Sequence, residues 1–135
     1  MLRAVSTGPQ VVVCSTCRVS AEARENDQGQ RGGALLAKAL RVERQADPAL
    51  AGIDIEEMPC LFACSRHCTV HIRAPGKISY ILGDFEPTAD AAKAILTYAR
   101  LHAESVEGQV RYADWPEGVK GHFITRMPPQ GFVMS

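Results

Sequence analysis

The chain has 135 residues, 46% of them apolar, and its fifteen basic and fifteen acidic side chains cancel to a formal charge of zero. That length makes one domain burying roughly two-thirds of its unfolded surface, and is too short for two ordinary ones. The balanced charge argues against a nucleic-acid partner, which would show as a basic surplus, and 6% aromatics leaves little for base stacking.

In chain order, Gln10-Val-Val-Val-Cys14 is a β-branched run after Gly8-Pro9 and reads as a buried first strand. Residues 18–33 are polar and glycine-containing, a long loop or frayed helix entry. From about Gly33 to Ala46, Leu35, Leu36, Ala39, Leu40 and Val42 form an apolar stripe, so a helix is expected, ended by Asp47-Pro48. Ile53, Ile55 and Met58 among acids give a second strand stopped by Pro59. Thr69-Val-His-Ile-Arg73 and Ile78-Ser-Tyr-Ile-Leu82 flank Ala74-Pro-Gly-Lys77 as a hairpin. Pro87-Thr88 opens a second helix over about 88–104, with Ala91, Ala92, Ile95, Leu96 and Ala99 on one face.

The order β-α-β-β-β-α predicts an α/β domain over residues 1–107. Its mixed sheet should have about four strands, with helices mainly on one face. Residues 108–135 follow as a tail. Tyr112, Trp115, Phe123, Ile124, Met127 and Phe132 make this tail too apolar to float free, so it should pack on the domain or a partner. The strand-helix-strand opening predicts a right-handed crossover between parallel strands. Val11-Val12-Val13 is far short of a signal core or a membrane span. The reading is therefore a reducing, cytoplasmic compartment with no membrane partner.

In that compartment, five cysteines in two short windows point to metal or redox chemistry rather than structural disulfides. Cys14-Ser-Thr-Cys17 follows the first strand; Cys60-Leu-Phe-Ala-Cys64-Ser-Arg-His-Cys68 follows the second. If the strands are parallel, both windows leave one carboxyl edge, where open α/β sheets bind ligands. Four thiolates from two loops can surround a [2Fe-2S] cluster or a tetrahedral zinc, the latter with His67 as an optional ligand. Cys-x-x-Cys beside a βαβ unit also admits thiol-disulfide exchange. Against that, the helix does not start at Cys14, so no helix N-terminus is expected to activate it.

The element order, with Cys60-Leu-x-x-Cys64, then Thr69-Val-His-Ile72 and Ile78-Ser-Tyr-Ile-Leu-Gly83, resembles the thioredoxin-like [2Fe-2S] ferredoxins over about residues 10–104. More narrowly, the Cys-Ser/Thr-x-Cys start and the Arg126-x-Pro128-Pro129 ending are similar to those of an uncharacterised bacterial family described as predicted metal-binding proteins. The resemblance implies a thioredoxin-like fold, a [2Fe-2S] cofactor, and Cys14, Cys17, Cys60 and Cys64 as its ligands. The ferredoxin group commonly spaces its first two cysteines further apart and carries proline near the place of Cys68, which makes Cys68 the substitute ligand for Cys17. The implied protein is an electron carrier serving an unidentified redox partner, not a stand-alone catalyst, with a homodimer admitted. The alternatives are a zinc or other metal-binding protein and a thiol oxidoreductase.

Arg18 and Arg66 flank proposed ligands, where they would offset cluster charge or simply be solvated. His71 is expected on the strand surface, and His102 as a satisfied core histidine. Gly29-x-x-Gly32-Gly33 is a weak phosphate-loop echo without its lysine and hydroxyl.

Overall fold

In a computed structural model describing residues 1–63 and 65–135, those residues form five strands and two α-helices. These are β1 (Gln10–Cys14), α1 (Gly32–Ala46), β2 (Asp54–Met58), β3 (Val70–Arg73), β4 (Ser79–Leu82), α2 (Ala89–Glu104) and β5 (Phe123–Met127). The strands make one mixed sheet in the order β2-β1-β3-β4-β5, with β1 and β2 parallel and the other pairings antiparallel. The expected parallel crossover is present, and its register places Cys14 opposite Met58. Both cysteine windows therefore start from one edge of the sheet.

The strand alternation sets the two faces. Val11, Val13, Val70, Ile72, Tyr80 and Leu82 bury against α1 and α2, which pack on each other and on β1. Helix α2 is begun by Thr88, whose hydroxyl accepts the Ala91 N–H at 3.2 Å, with Asp90 in the positive first turn. Its buried face includes Ile95, Leu96, Tyr98 and Ala99. In α1 the buried line is Gly33, Leu36, Ala37 and Leu40, while Val42 is 57% exposed. At 100° per residue Val42 turns away from Leu40, and Arg44 takes the inward place. Arg44 donates from Nε to the Ile53 carbonyl at 2.6 Å and from Nη2 to that of Ala51 at 2.7 Å.

The fifth strand comes from the segment after residue 107. It pairs with β4, and Phe123 meets Tyr80 and Tyr98 edge-on at 5.5 and 5.3 Å. Trp115 joins the same aromatic group and donates its indole N–H to the Val110 carbonyl at 2.8 Å.

The two histidines fare differently. His102 is buried as expected, and its Nε2–H donates to the Ile78 carbonyl at 2.6 Å. His71 departs from the strand-surface expectation. It lies between Val12 and Ile81 on interior strands, half-buried, and its Nε2 is buried with no hydrogen-bond partner among the described residues. Burial first, then the charges of Arg73 and His102, pushes His71 down to about 4. Burial also lowers His102, against the Ile78 bond that raises it.

An unfolded histidine titrates near 6.5, so between about pH 6.5 and 4 the unfolded chain binds more protons than the folded one. Stability should therefore fall as pH drops through that window. His71 alone would contribute up to about 3 kcal/mol of the loss. Denaturant unfolding at pH 7 and pH 4.5 checks this, and His71→Gln should flatten the difference.

Candidate functional site

Three stretches of chain meet at the carboxyl edge of β1. Cys14 N–H donates to the Thr69 carbonyl at 3.0 Å, and Ser15 N–H to the Met58 carbonyl at 2.9 Å. The Thr16 hydroxyl donates to the Pro59 carbonyl. Arg18 and His67 close the far side in a single parallel bridge. The first cysteine loop is thus tied to both the strand end before Cys60 and the start of β3.

Helix α1 holds this loop from behind. A Cβ on Gly33 would fall 1.7 Å from the Cys14 carbonyl oxygen, and one on Gly32 would fall 2.1 Å from that of Arg18. The Gly33 N–H donates to the Cys17 carbonyl at 3.3 Å. Gly32 and Gly33 are therefore a close-approach device and not a phosphate loop. It also revises one expectation: α1 does not start at Cys14, yet its N-terminus is pressed against the Cys14–Arg18 turn.

The result is a cavity of about 220 Å³ lined by Cys14, Cys17, Cys60, Thr16, Ala63 and four arginines, Arg18, Arg24, Arg31 and Arg66. Three of the four cysteines expected as ligands are brought together here. The fourth, Cys64, lies outside the described residues. Cys68 is elsewhere: fully buried in the apolar core, with Sγ 3.6 Å from the Arg18 carbonyl, and absent from the cavity wall. His67 is also off the wall, its Nδ1 3.6 Å from Asp84 Oδ1. Among the described residues, no three His, Cys, Asp or Glu side chains stand as a ready metal-binding group.

The sulfurs are well supplied with donors. Phe62 N–H donates to Cys60 Sγ at 3.2 Å, and the Thr69 hydroxyl is 2.9 Å from Cys17 Sγ. Cys14 Sγ lies 3.9 Å from the Thr16 hydroxyl. The Cys14 thiol is lowered to about 5, first by a hydrogen bond from Cys17, with burial opposing and the Leu61 backbone and both threonines assisting. Cys17 is raised, first because it gives that hydrogen bond and then by burial. The shared hydrogen bond thus favours the proton on Cys17 over Cys14. Burial, ahead of the Glu86 and Cys14 charges, pushes Cys68 up to about 12, which suits an inert core thiol.

Two arginines of the site, Arg18 and Arg66, are legible in the sequence by nearness to cysteine. Arg24 and Arg31 are not, since they lie on the polar loop before α1. Arg31 donates from Nη1 to the Thr16 carbonyl at 3.1 Å. Arg66 is paired with Asp84, its Nε 2.7 Å from Oδ2. That ion pair holds the Asp84 carboxyl below the usual carboxylate range. Among the described residues no carboxylate lines the cavity, and no helix is long and apolar enough to cross a membrane.

The class these features define is a thioredoxin-like α/β domain. Two solved structures share that architecture. A thioredoxin-like [2Fe-2S] ferredoxin from Aquifex aeolicus matches over 95% of this chain and 100% of its own, with a TM-score of 0.54 and 23% identity. A crystal structure of the wild-type thioredoxin-like [2Fe-2S] ferredoxin from Aquifex aeolicus matches over 70% and 88%, with a TM-score of 0.50 and 21% identity. Over residues 11–129 the chain matches the family described as protein of unknown function, DUF1636, and it belongs to that family. No curated protein matches it.

Proposed function

We propose that the protein is a small one-electron carrier that holds a [2Fe-2S] cluster through Cys14, Cys17, Cys60 and Cys64. The observation that carries this reading is one cavity, at a parallel-strand edge, lined by three cysteines and four arginines and, among the described residues, by no acidic side chain. Soft thiolates suit iron in a cluster, and cationic walls suit the net negative charge of a thiolate-held one. The Cys60-x-x-x-Cys64 spacing supplies the fourth thiolate. The likeness to ferredoxins is one of fold, and it is consistent with this use of the edge.

When bound, the cluster would supply reversible one-electron transfer. The chain's own residues set its environment. The Phe62 N–H and the Thr69 hydroxyl donate toward sulfur, which delocalises thiolate charge and raises the reduction potential. Arg31 and Arg66 are held in place by the Thr16 carbonyl and by Asp84, and they act in the same direction. The setting that fits such chemistry is a reducing cytosol with a separate redox partner protein.

Protein purified without oxygen should be coloured and carry iron and acid-labile sulfide in equal amounts, about two of each per chain. Stoichiometric zinc in a colourless protein, even after anaerobic reconstitution, would overturn this reading in favour of a zinc site. Metal-free protein with a reversible Cys14–Cys17 disulfide would overturn it in favour of thiol exchange.

A further inference from the structure

We propose that the mouth of the cysteine cavity is a docking surface for an acidic protein, recognised by the ring of Arg18, Arg24, Arg31 and Arg66 with Phe62 as its apolar anchor. This deepens the electron-carrier reading by giving the partner a chemistry. The docking physics itself does not require the cluster.

The first observation is charge placement. The chain is neutral overall, yet four arginines line this one cavity. Glu22, Glu25 and Asp27, on the same loop as Arg24, are not part of the wall. Arg66 shares its charge with Asp84, but neither Arg18 nor Arg24 has a carboxylate within ion-pairing distance among the described residues. Arg24 is exposed, so its charge reaches solvent rather than the sulfurs alone. Guanidinium groups are forked carboxylate binders, and a concentrated positive mouth speeds encounter with an acidic surface.

The second observation is Phe62. It sits between Cys60 and Ala63, both of the cavity wall, and is 94% exposed. Its φ of 59° is left-handed, uncommon for a bulky residue. The same conformation serves the site, since the Phe62 N–H reaches Cys60 Sγ. The backbone that binds sulfur thereby holds an aromatic ring outward beside the cysteine cavity. Aromatic and arginine side chains are the residue types that dominate binding hot spots.

The test uses one acceptor in two charge states, native basic cytochrome c and its succinylated acidic form, titrated into the isotopically labelled protein as purified. The succinylated form should bind, with NMR shifts centred on residues 16–31 and 60–66, and should loosen about tenfold or more between 20 and 200 mM salt. Native cytochrome c should bind at least about tenfold more weakly. Arg18→Glu with Arg24→Glu should abolish the preference, Phe62→Ala should weaken binding about tenfold at an unchanged salt slope, and Lys38→Glu on α1 should change neither.

Equal binding of both cytochromes, or shifts mapping elsewhere, would overturn the proposal. So would equally tight binding of a single-stranded DNA oligonucleotide, which would reassign the mouth to phosphate backbones. If the double arginine variant fails to fold, the salt titration of the unaltered protein decides. Iron analysis of the same sample judges the carrier reading separately: a protein without iron that still binds the acidic form at the mouth keeps this inference and loses that one.

Discussion

Gly33→Ala should lower the melting temperature by roughly 10 °C or more, although alanine normally stabilises a helix relative to glycine by about 0.5–1 kcal/mol. The added methyl would lie 1.7 Å from the Cys14 carbonyl oxygen, 2.8 Å from its carbon and 3.1 Å from the Ser15 carbon. All three are backbone atoms, so no rotamer change relieves the overlap. Helix α1 must lift by more than an ångström, opening the packing of Leu36 and Leu40 under the sheet, and a cost of about 3 kcal/mol or more is expected. The same lift would break the Gly33 N–H bond to the Cys17 carbonyl, which backs the Cys14–Arg18 turn. Gly52→Ala is the control: nothing lies within 4 Å of its Cβ position, so it should stay within about 0.5 kcal/mol of the parent. Thermal unfolding of the two variants checks the pair, and an unchanged melting temperature for Gly33→Ala would show that α1 does not bear on the cysteine loop.

Strong local signals made the first four strands and both helices legible. The β-branched run of β1 and the Ala74-Pro-Gly turn of the hairpin each carry their own punctuation, and Thr88 caps α2 as its sequence suggests. β5 was not legible as a strand because Phe-Ile-Thr-Arg-Met lies at a sheet edge, before Pro128-Pro129, where alternation is relaxed and proline reads as a breaker. The convergence of Cys14, Cys17 and Cys60 followed from one inference, that β1 and β2 run parallel. What distance along the chain hides is the rest of the wall. Arg24 and Arg31 reach the site only because α1 backs onto the loop, and that contact depends on the missing Cβ atoms of Gly32 and Gly33. A pair of glycines opening a helix without a cap side chain was the available sign. The burial of His71 is hidden for a related reason: alternation places it on the face away from the helices, but its strand is interior, paired on both sides.

Cys60→Ser and Cys14→Ser should each remove the iron and the visible spectrum, whereas Cys68→Ser should keep both. At the cavity wall, serine exchanges a soft thiolate for a neutral hydroxyl or a hard alkoxide, and iron in a sulfide cluster is held poorly by either. At residue 68 the sulfur is fully buried among apolar side chains and off the wall, so the change acts on packing. Placing a hydroxyl there should cost about 1–3 kcal/mol, offset in part if it donates to the Arg18 carbonyl as the thiol does. The wall variants should nevertheless stay folded. Val11, Leu36, Leu40, Ile72, Ile95 and Leu96 fill the space between sheet and helices without any contribution from the cysteine edge, and each buried side chain of this kind is worth roughly 1.5–3 kcal/mol. Iron content, absorption and circular dichroism of the three variants separate the cases. Loss of iron with a retained, cooperatively melting helical spectrum is the expected result for Cys14→Ser and Cys60→Ser. A random-coil spectrum for them would make the metal the organiser of the fold. Iron lost from Cys68→Ser but kept by Cys17→Ser would require the loop to carry Cys68 out of the core and into the wall in place of Cys17.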